Sequence, residues 1–103
     1  MKYKVQLIPE AANDYKNLDR NVRKDVNNKI GELENKPFLG HKLGNKFGLD
    51  LTGFYKIYVH RKKYRIVYRL INETEIEIIE IWGIGKREKE EIYRIIGKRL
   101  NKK

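Results

Sequence analysis

Between positions 54 and 65 the chain places Lys56, Tyr58 and His60 at alternate positions, with Arg65 five residues on and no acidic residue among them. On an extended segment, side chains two residues apart project from the same face. Lys56, Tyr58 and His60 are therefore expected on one polar face, with Arg65 following across a short connection towards the same groove. Cations beside aromatic rings suit chemistry at a phosphate: they hold it, neutralise the charge that builds on it and orient a neighbouring base. RNA brings its own nucleophile to such a site. Its 2′-hydroxyl attacks the adjacent phosphate when one group takes the hydroxyl proton, another stabilises the crowded phosphorane and a third protonates the departing 5′-oxygen.

The rest of the inventory narrows the alternatives. Cysteine and serine are both absent, which removes thiolate ligands, disulfides and serine nucleophiles. His41 and His60 are the two histidines and lack any recognisable ligand spacing, so no metal or other cofactor is expected. Glu73, Glu75, Glu77 and Glu80 lie among isoleucines in or beside one strand, the pattern of a solvated sheet face. Gly83-Ile84-Gly85 is a lone GxG after a strand, which matches neither a Walker nor a dinucleotide fingerprint. Lys and Arg total 24 against 14 Asp and Glu, for a net charge of +10, a balance that favours a polyanionic partner. Residues 54–65 and residues 85–103 each carry a net +5. Brought together by folding, these two segments would form a focused basic face. With no cysteine and no apolar run of signal-peptide or membrane-span length, the expected compartment is a reducing cytoplasm, with no membrane partner.

The elements that must position these residues follow from periodicity. Tyr3, Val5 and Leu7 alternate with polar residues and read as a strand. Pro9 and Glu10 then open a helix that carries Ala11, Tyr15 and Leu18. After Asp19-Arg20-Asn21 a second helix carries Val22, Val26, Ile30 and Leu33 and ends before Pro37. Residues 35–53, with Pro37 and four glycines, read as a loop with little regular structure. Three antiparallel strands follow: one through Tyr55, Ile57 and Val59, one over 64–71, and one from Glu75 to Trp82. Arg61-Lys62-Lys63 makes the first connection, Asn72-Glu73-Thr74 the second, and Gly83 and Gly85 end the meander. A terminal helix places Ile92, Ile95 or Ile96, and Arg99 or Leu100 at helical spacing. The predicted architecture is α+β: one domain over residues 1–103, with an antiparallel sheet of about four strands packed against two N-terminal helices and a short C-terminal helix.

Leu51-Thr52-Gly53-Phe54-Tyr55-Lys56-Ile57, then Tyr64-Arg65-Ile66-Val67-Tyr68, then Gly83-Ile84-Gly85-Lys86-Arg87-Glu88 with Tyr93 six residues after Arg87, resemble the RelE branch of the RelE/ParE toxin superfamily. The order of elements agrees, and the resemblance covers nearly the whole chain. It implies the RelE-like microbial RNase fold and a prokaryotic cell. It also implies an mRNA interferase of a type II toxin–antitoxin system, which enters the ribosomal A site, cuts mRNA there without a metal and is held inactive by a cognate antitoxin, RelB-like or of another class. By position, Lys56 matches a cation that assists proton transfer or binds the phosphate, and Arg65 an arginine that stabilises the transition state. Arg87 matches the arginine given the leaving-group role, and Tyr93 a C-terminal tyrosine that orients or stacks a nucleotide. A guanidinium holds its proton to high pH, so electrostatic stabilisation suits Arg87 better than proton donation. Where relatives carry a second lysine two residues after the first, often assigned as general base, this chain has Tyr58. The proton acceptor is then Lys56, His60 or a Tyr58 phenol made more acidic by surrounding cations.

Each of these residues has a plainer reading. Lys56 would only bind rRNA phosphate, Arg65 would pair with a strand carboxylate such as Glu77, and Tyr93, beside Ile92, would be core. Tyr64, Tyr68 and Trp82 read as packing residues. Arg61, Lys62, Lys63 and Lys86 read as RNA-backbone contacts, a role that tolerates loose placement. Two other functions fit the same sequence: a ParE-like DNA gyrase inhibitor on this fold, and a noncatalytic basic protein that binds RNA or the ribosome.

Overall fold

The alternation near the N-terminus becomes strand β1 (Lys4–Leu7), and the helical stripes become α1 (Pro9–Lys16) and α2 (Arg20–Asn35). Proline in the first turn of α1 and Glu10 beside it match the expected helix start. The computed structural model describes residues 3–46, 48–73, 76–86, 88 and 91–101. Ala11 of α1 and Val22, Val26 and Leu33 of α2 are buried in the core. The Tyr15 hydroxyl donates to Asn27 Oδ1 at 2.8 Å, tying the two helices together.

Residues 36–53 hold three two-residue strands: β2 (His41–Lys42), β3 (Asn45–Lys46) and β4 (Leu49–Asp50). Strands this short leave no periodicity to read, so the expected loop is correct in character but omits them. The Tyr68 hydroxyl fastens the start of this segment, donating to the Pro37 carbonyl at 3.0 Å and accepting from the Gly40 N–H at 2.9 Å.

The meander follows as β5 (Phe54–Val59), β6 (Tyr64–Glu73) and β7 (Ile76–Lys86), and the chain closes with α3 (Glu91–Asn101). The main sheet has the order β1-β7-β6-β5-β2. The α+β class holds, but the sheet is mixed and five-stranded, because β1 runs parallel to β7, with Lys4 opposite Ile78 and Leu7 opposite Ile81. Alternation reveals which face a strand buries and says nothing of its direction. Parallel partners need a long connection, and here residues 8–75, about two thirds of the chain, lie between them.

Three boundaries also differ from expectation, the first being α1, which ends at Lys16 and leaves Leu18 beyond it. β6 continues through Asn72 and Glu73, while Thr74 of the expected turn lies outside the described residues, as does Glu75. Gly83 and Gly85 do not end β7, which runs through both to Lys86. In α3 the buried residues are Ile92, Tyr93, Ile96 and Gly97, whereas Ile95 is exposed. No helix among the described residues is long and apolar enough to cross a membrane.

Candidate active site

The pairing of β5, β6 and β7 builds the site row by row. Tyr58 lies opposite Arg65, and Arg65 opposite Gly85; in the neighbouring row Lys56 lies opposite Val67, and Val67 opposite Gly83. Directly paired residues point to the same side of a sheet, so Lys56, Tyr58 and Arg65 share one face with the two glycines. Helix α3 packs against that face. A Cβ on Gly83 would fall 2.6 Å from Ile96 Cδ1, and one on Gly85 3.1 Å from Ile92 Cδ1. The GxG tripeptide therefore serves close helix–strand packing and not phosphate binding.

The same docking puts Tyr93 beneath Arg65. The guanidinium lies 4.9 Å from the centre of the Tyr93 ring and 5.3 Å from that of Tyr58. Two aromatic rings so placed let a cation be carried in the interior, since the quadrupole of each ring attracts it. Arg65 is 4% exposed. In front of it, Lys56 Nζ donates to the Tyr58 hydroxyl at 3.3 Å and also lies 5.2 Å from the ring centre. The hydrogen bond from Lys56 is the main cause that holds the Tyr58 phenol below its ordinary value of 10.0, and Arg65 adds to it against a smaller opposing effect of burial. Tyr93 moves the other way: burial pushes its phenol up, opposed by the charges of Arg65 and Lys56.

The structure thus gathers Lys56, Tyr58, Arg65 and Tyr93. It places two expected features differently. The Tyr93 ring has no exposed surface, so it offers no face for a nucleotide to stack on and instead supports Arg65. His60 leaves the polar face of β5. Strand geometry stops at Val59, and His60, Arg61 and Lys62 take left-handed backbone angles, with φ of 53°, 56° and 64°. His60 Nδ1 is carried to within 2.7 Å of Asp25 Oδ2 on α2. Parity failed there because a run of left-handed residues turns the chain, and no glycine or asparagine in the sequence announces it. Asp25 was missed for a related reason: its partner is 35 residues away. Arg87 lies outside the described residues.

In the register Arg65 faces Gly85 and Glu77 faces Asn72, so Arg65 and Glu77 are not cross-strand partners; the Arg69 Nε donates to Glu80 Oε1 at 2.8 Å. Tyr68 and Trp82 are buried packing residues, as expected. Trp82 packs edge-on against Phe54, and Arg69 lies over the indole ring.

The two basic segments do meet, for Tyr64 pairs with Lys86 and Arg65 with Gly85. Arg61, Lys62, Lys63 and Lys86 line an open cleft of about 820 Å³ together with His60, Asp19 and Glu88. The cleft begins at Arg65, so the phosphate-binding candidates continue directly from the cation site.

A clamp at the end of β7 holds α3 in place. Asp14 Oδ2 accepts from the Ile84 N–H at 3.1 Å and from Arg99 Nη1 at 2.8 Å, while Oδ1 accepts from Arg99 Nη2 at 2.9 Å. Arg99 Nη1 also donates to the Trp82 carbonyl at 2.7 Å. β1 stops pairing at Ile81, and these side chains satisfy the edge of β7 just beyond it.

A family model described as the ParE toxin of type II toxin-antitoxin system, parDE, matches residues 5–91. The chain belongs to this toxin family. The mRNA interferase toxin RelE of Escherichia coli (strain K12) is 28% identical over 100 residues, covering 97% of this chain and 99% of that protein. A solved structure of the free E. coli RelE toxin, bearing two arginine-to-alanine substitutions, superposes with a TM-score of 0.75 at 27% identity, over 97% of this chain and 99% of that one. The same mutant toxin bound to a peptide of its antitoxin RelB matches with a TM-score of 0.67 at 26% identity, over 92% of this chain and 94% of that one.

Proposed function

We propose that this chain is the toxin of a type II toxin–antitoxin system and acts in the cytoplasm as a ribosome-dependent endoribonuclease that cuts mRNA in the A site and so inhibits translation. The observation that carries the reading is the convergence of Lys56, Tyr58 and Arg65 in adjoining positions of one sheet face. RelE relatives named as mRNA interferases, alike over nearly the full length, support it.

In this reading the RNA 2′-hydroxyl attacks the adjacent phosphorus, a pentavalent phosphorane forms, and the bond to the 5′-oxygen breaks. Lys56 meets the phosphate directly. Arg65 acts from behind, as a buried cation whose field is weakly screened by water and is already in place when charge builds. Tyr93 keeps the guanidinium in that position. Arg87 supplies positive charge near the leaving oxygen, as the family resemblance implies. Arg61, Lys62, Lys63 and Lys86 bind ribosomal RNA backbone along the cleft. The partner that restrains the toxin is an antitoxin of the RelB kind, the class of partner bound to the solved RelE toxin.

The match to a ParE family model favours a second reading, inhibition of DNA gyrase. One experiment separates the two. The protein is induced in cells and mRNA 5′ ends are mapped for wild type, Arg65→Ala and Arg87→Ala. Codon-phased cuts in translated messages that fade in both variants are expected. DNA damage without RNA cuts would establish the gyrase reading instead, and neither effect would leave a binding protein.

A further inference from the structure

Transfer of the proton from the attacking 2′-hydroxyl needs an acceptor. Lys56 Nζ is already engaged, donating to the Tyr58 oxygen at 3.3 Å. His60 is turned away to Asp25, and the Tyr93 ring is fully covered. We propose that Tyr58, as the phenolate, takes the 2′-hydroxyl proton, with Lys56 holding and stabilising the phenolate oxygen. The inference rests on the nuclease reading and deepens it.

The charges around the phenol favour this role. Lys56 on its own strand donates to its oxygen, and Arg65 from β6 lies over its ring. From α3 it faces the buried Tyr93, whose phenol stays protonated more readily than an ordinary one. From α2, Asp25, Lys29 and Glu32 line the cleft that Tyr58 shares. Lys29 and Glu32 are paired to each other at 2.8 Å, and Asp25 is held by His60. Among the described residues, two cations therefore act on Tyr58 directly, while the Asp25 and Glu32 carboxylates of that cleft are paired with other side chains. The downward shift of the phenol agrees with that arrangement, and it brings the acceptor nearer to working pH, where general-base catalysis is most effective.

The step balances without a further reactant except water. The O–H bond of the 2′-hydroxyl breaks and its proton passes to the phenolate. The freed oxygen forms a bond to phosphorus, and the bond from phosphorus to the 5′-oxygen breaks, leaving a cyclic phosphate. Solvent water protonates the 5′-oxygen, and the hydroxide left behind takes the proton back from Tyr58.

The test is single-turnover cleavage of a defined message in the A site of purified ribosomes, followed across pH. It compares wild type, Tyr58→Phe and a protein with difluorotyrosine in place of Tyr58. Tyr58→Phe keeps the ring that packs on Arg65, and it should cut about a hundred- to ten-thousand-fold more slowly while still binding ribosomes. The wild-type rate should rise with pH to a plateau. Its midpoint should match a single early tyrosine ionisation in the ultraviolet titration of the free protein, one that Tyr58→Phe lacks. Difluorotyrosine, a more acidic phenol, should move that midpoint to lower pH. A Tyr58→Phe protein that cuts at the wild-type rate, or a midpoint unmoved by fluorination, overturns the assignment and leaves the nuclease reading standing. A wild-type protein that cuts at no pH overturns both.

Discussion

Replacing Gly83 by alanine tests whether the approach of α3 to β7 sets the site. The new Cβ would lie 2.6 Å from Ile96 Cδ1 and 3.0 Å from both Ile92 Cδ1 and Arg99 Nη1, where carbon atoms pack at about 3.5–4.0 Å. None of the three can swing into solvent, since both isoleucines are buried and Arg99 is held by Asp14 and the Trp82 carbonyl. Overpacking of this kind costs about 1–3 kcal/mol. Removing a glycine from the unfolded chain returns about 0.4–1 kcal/mol, so packing wins and the net loss is about 1–2 kcal/mol. That corresponds to a fall in Tm of about 4–16 °C for a domain of this size. At Gly85 the nearest contact is 3.1 Å from Ile92 Cδ1 and the next 3.4 Å. A shift of a few tenths of an ångström suffices there, and Gly85→Ala should stay within about 1 kcal/mol of wild type. Because α3 carries Tyr93 under Arg65, Gly83→Ala should also slow cleavage well below its own Tm. The assay is thermal unfolding by circular dichroism, with cleavage measured in parallel, on Gly83→Ala, Gly85→Ala, Ile96→Val and Gly83→Ala/Ile96→Val. Ile96→Val deletes the atom that clashes, so the losses in the double variant should fall short of additivity by at least about 0.5 kcal/mol. Equal Tm values for the two glycine variants, or strictly additive losses, would refute the packing argument.

Further outcomes are expected at Lys62, Asp14 and Tyr93. Lys62→Gly relieves a left-handed backbone at φ 64° that costs a non-glycine residue about 1–2 kcal/mol; part of the gain is lost to unfolded-chain entropy, so Tm should rise by a few degrees. The same variant should bind ribosomes more weakly, with a salt dependence shallower by about one charge. Asp14→Ala strips the carboxylate from Arg99, leaving it the Trp82 carbonyl, and the acceptor from the Ile84 N–H, in a clamp whose side chains are 14% and 19% exposed, and denaturant titration should show a loss of about 2–4 kcal/mol. Part of that loss should return in Asp14→Ala/Arg99→Leu, where no uncompensated charge remains. Tyr93 is a phenol raised in the fold above its unfolded value, so its contribution is fully present below about pH 10 and is lost as pH rises through its folded value. Urea unfolding of Tyr93→Phe at about pH 9 and about pH 11 should show a smaller alkaline loss than wild type; an identical loss in both proteins would place the sensitive group elsewhere.

Much of the molecule was legible in one dimension because its signals are local. Alternation in β1 and β5, the proline at the head of α1, and the stripe of Val22, Val26 and Leu33 each report which face an element buries. The same alternation paired Lys56 with Tyr58, and the basic connection pointed to Arg61, Lys62 and Lys63. Folding alone decided what depends on partners far apart in the chain. The parallel pairing of β1 with β7, the turn of His60 towards Asp25, and the clamp joining Asp14 to Arg99 link residues whose types carry no mark of one another. Gly83 and Gly85 look like strand breakers until α3 is seen pressed against them. Burial of Arg65 between two tyrosines likewise emerges only when the sheet and helix close, because a charge can enter the interior only where the surrounding groups replace the water it leaves.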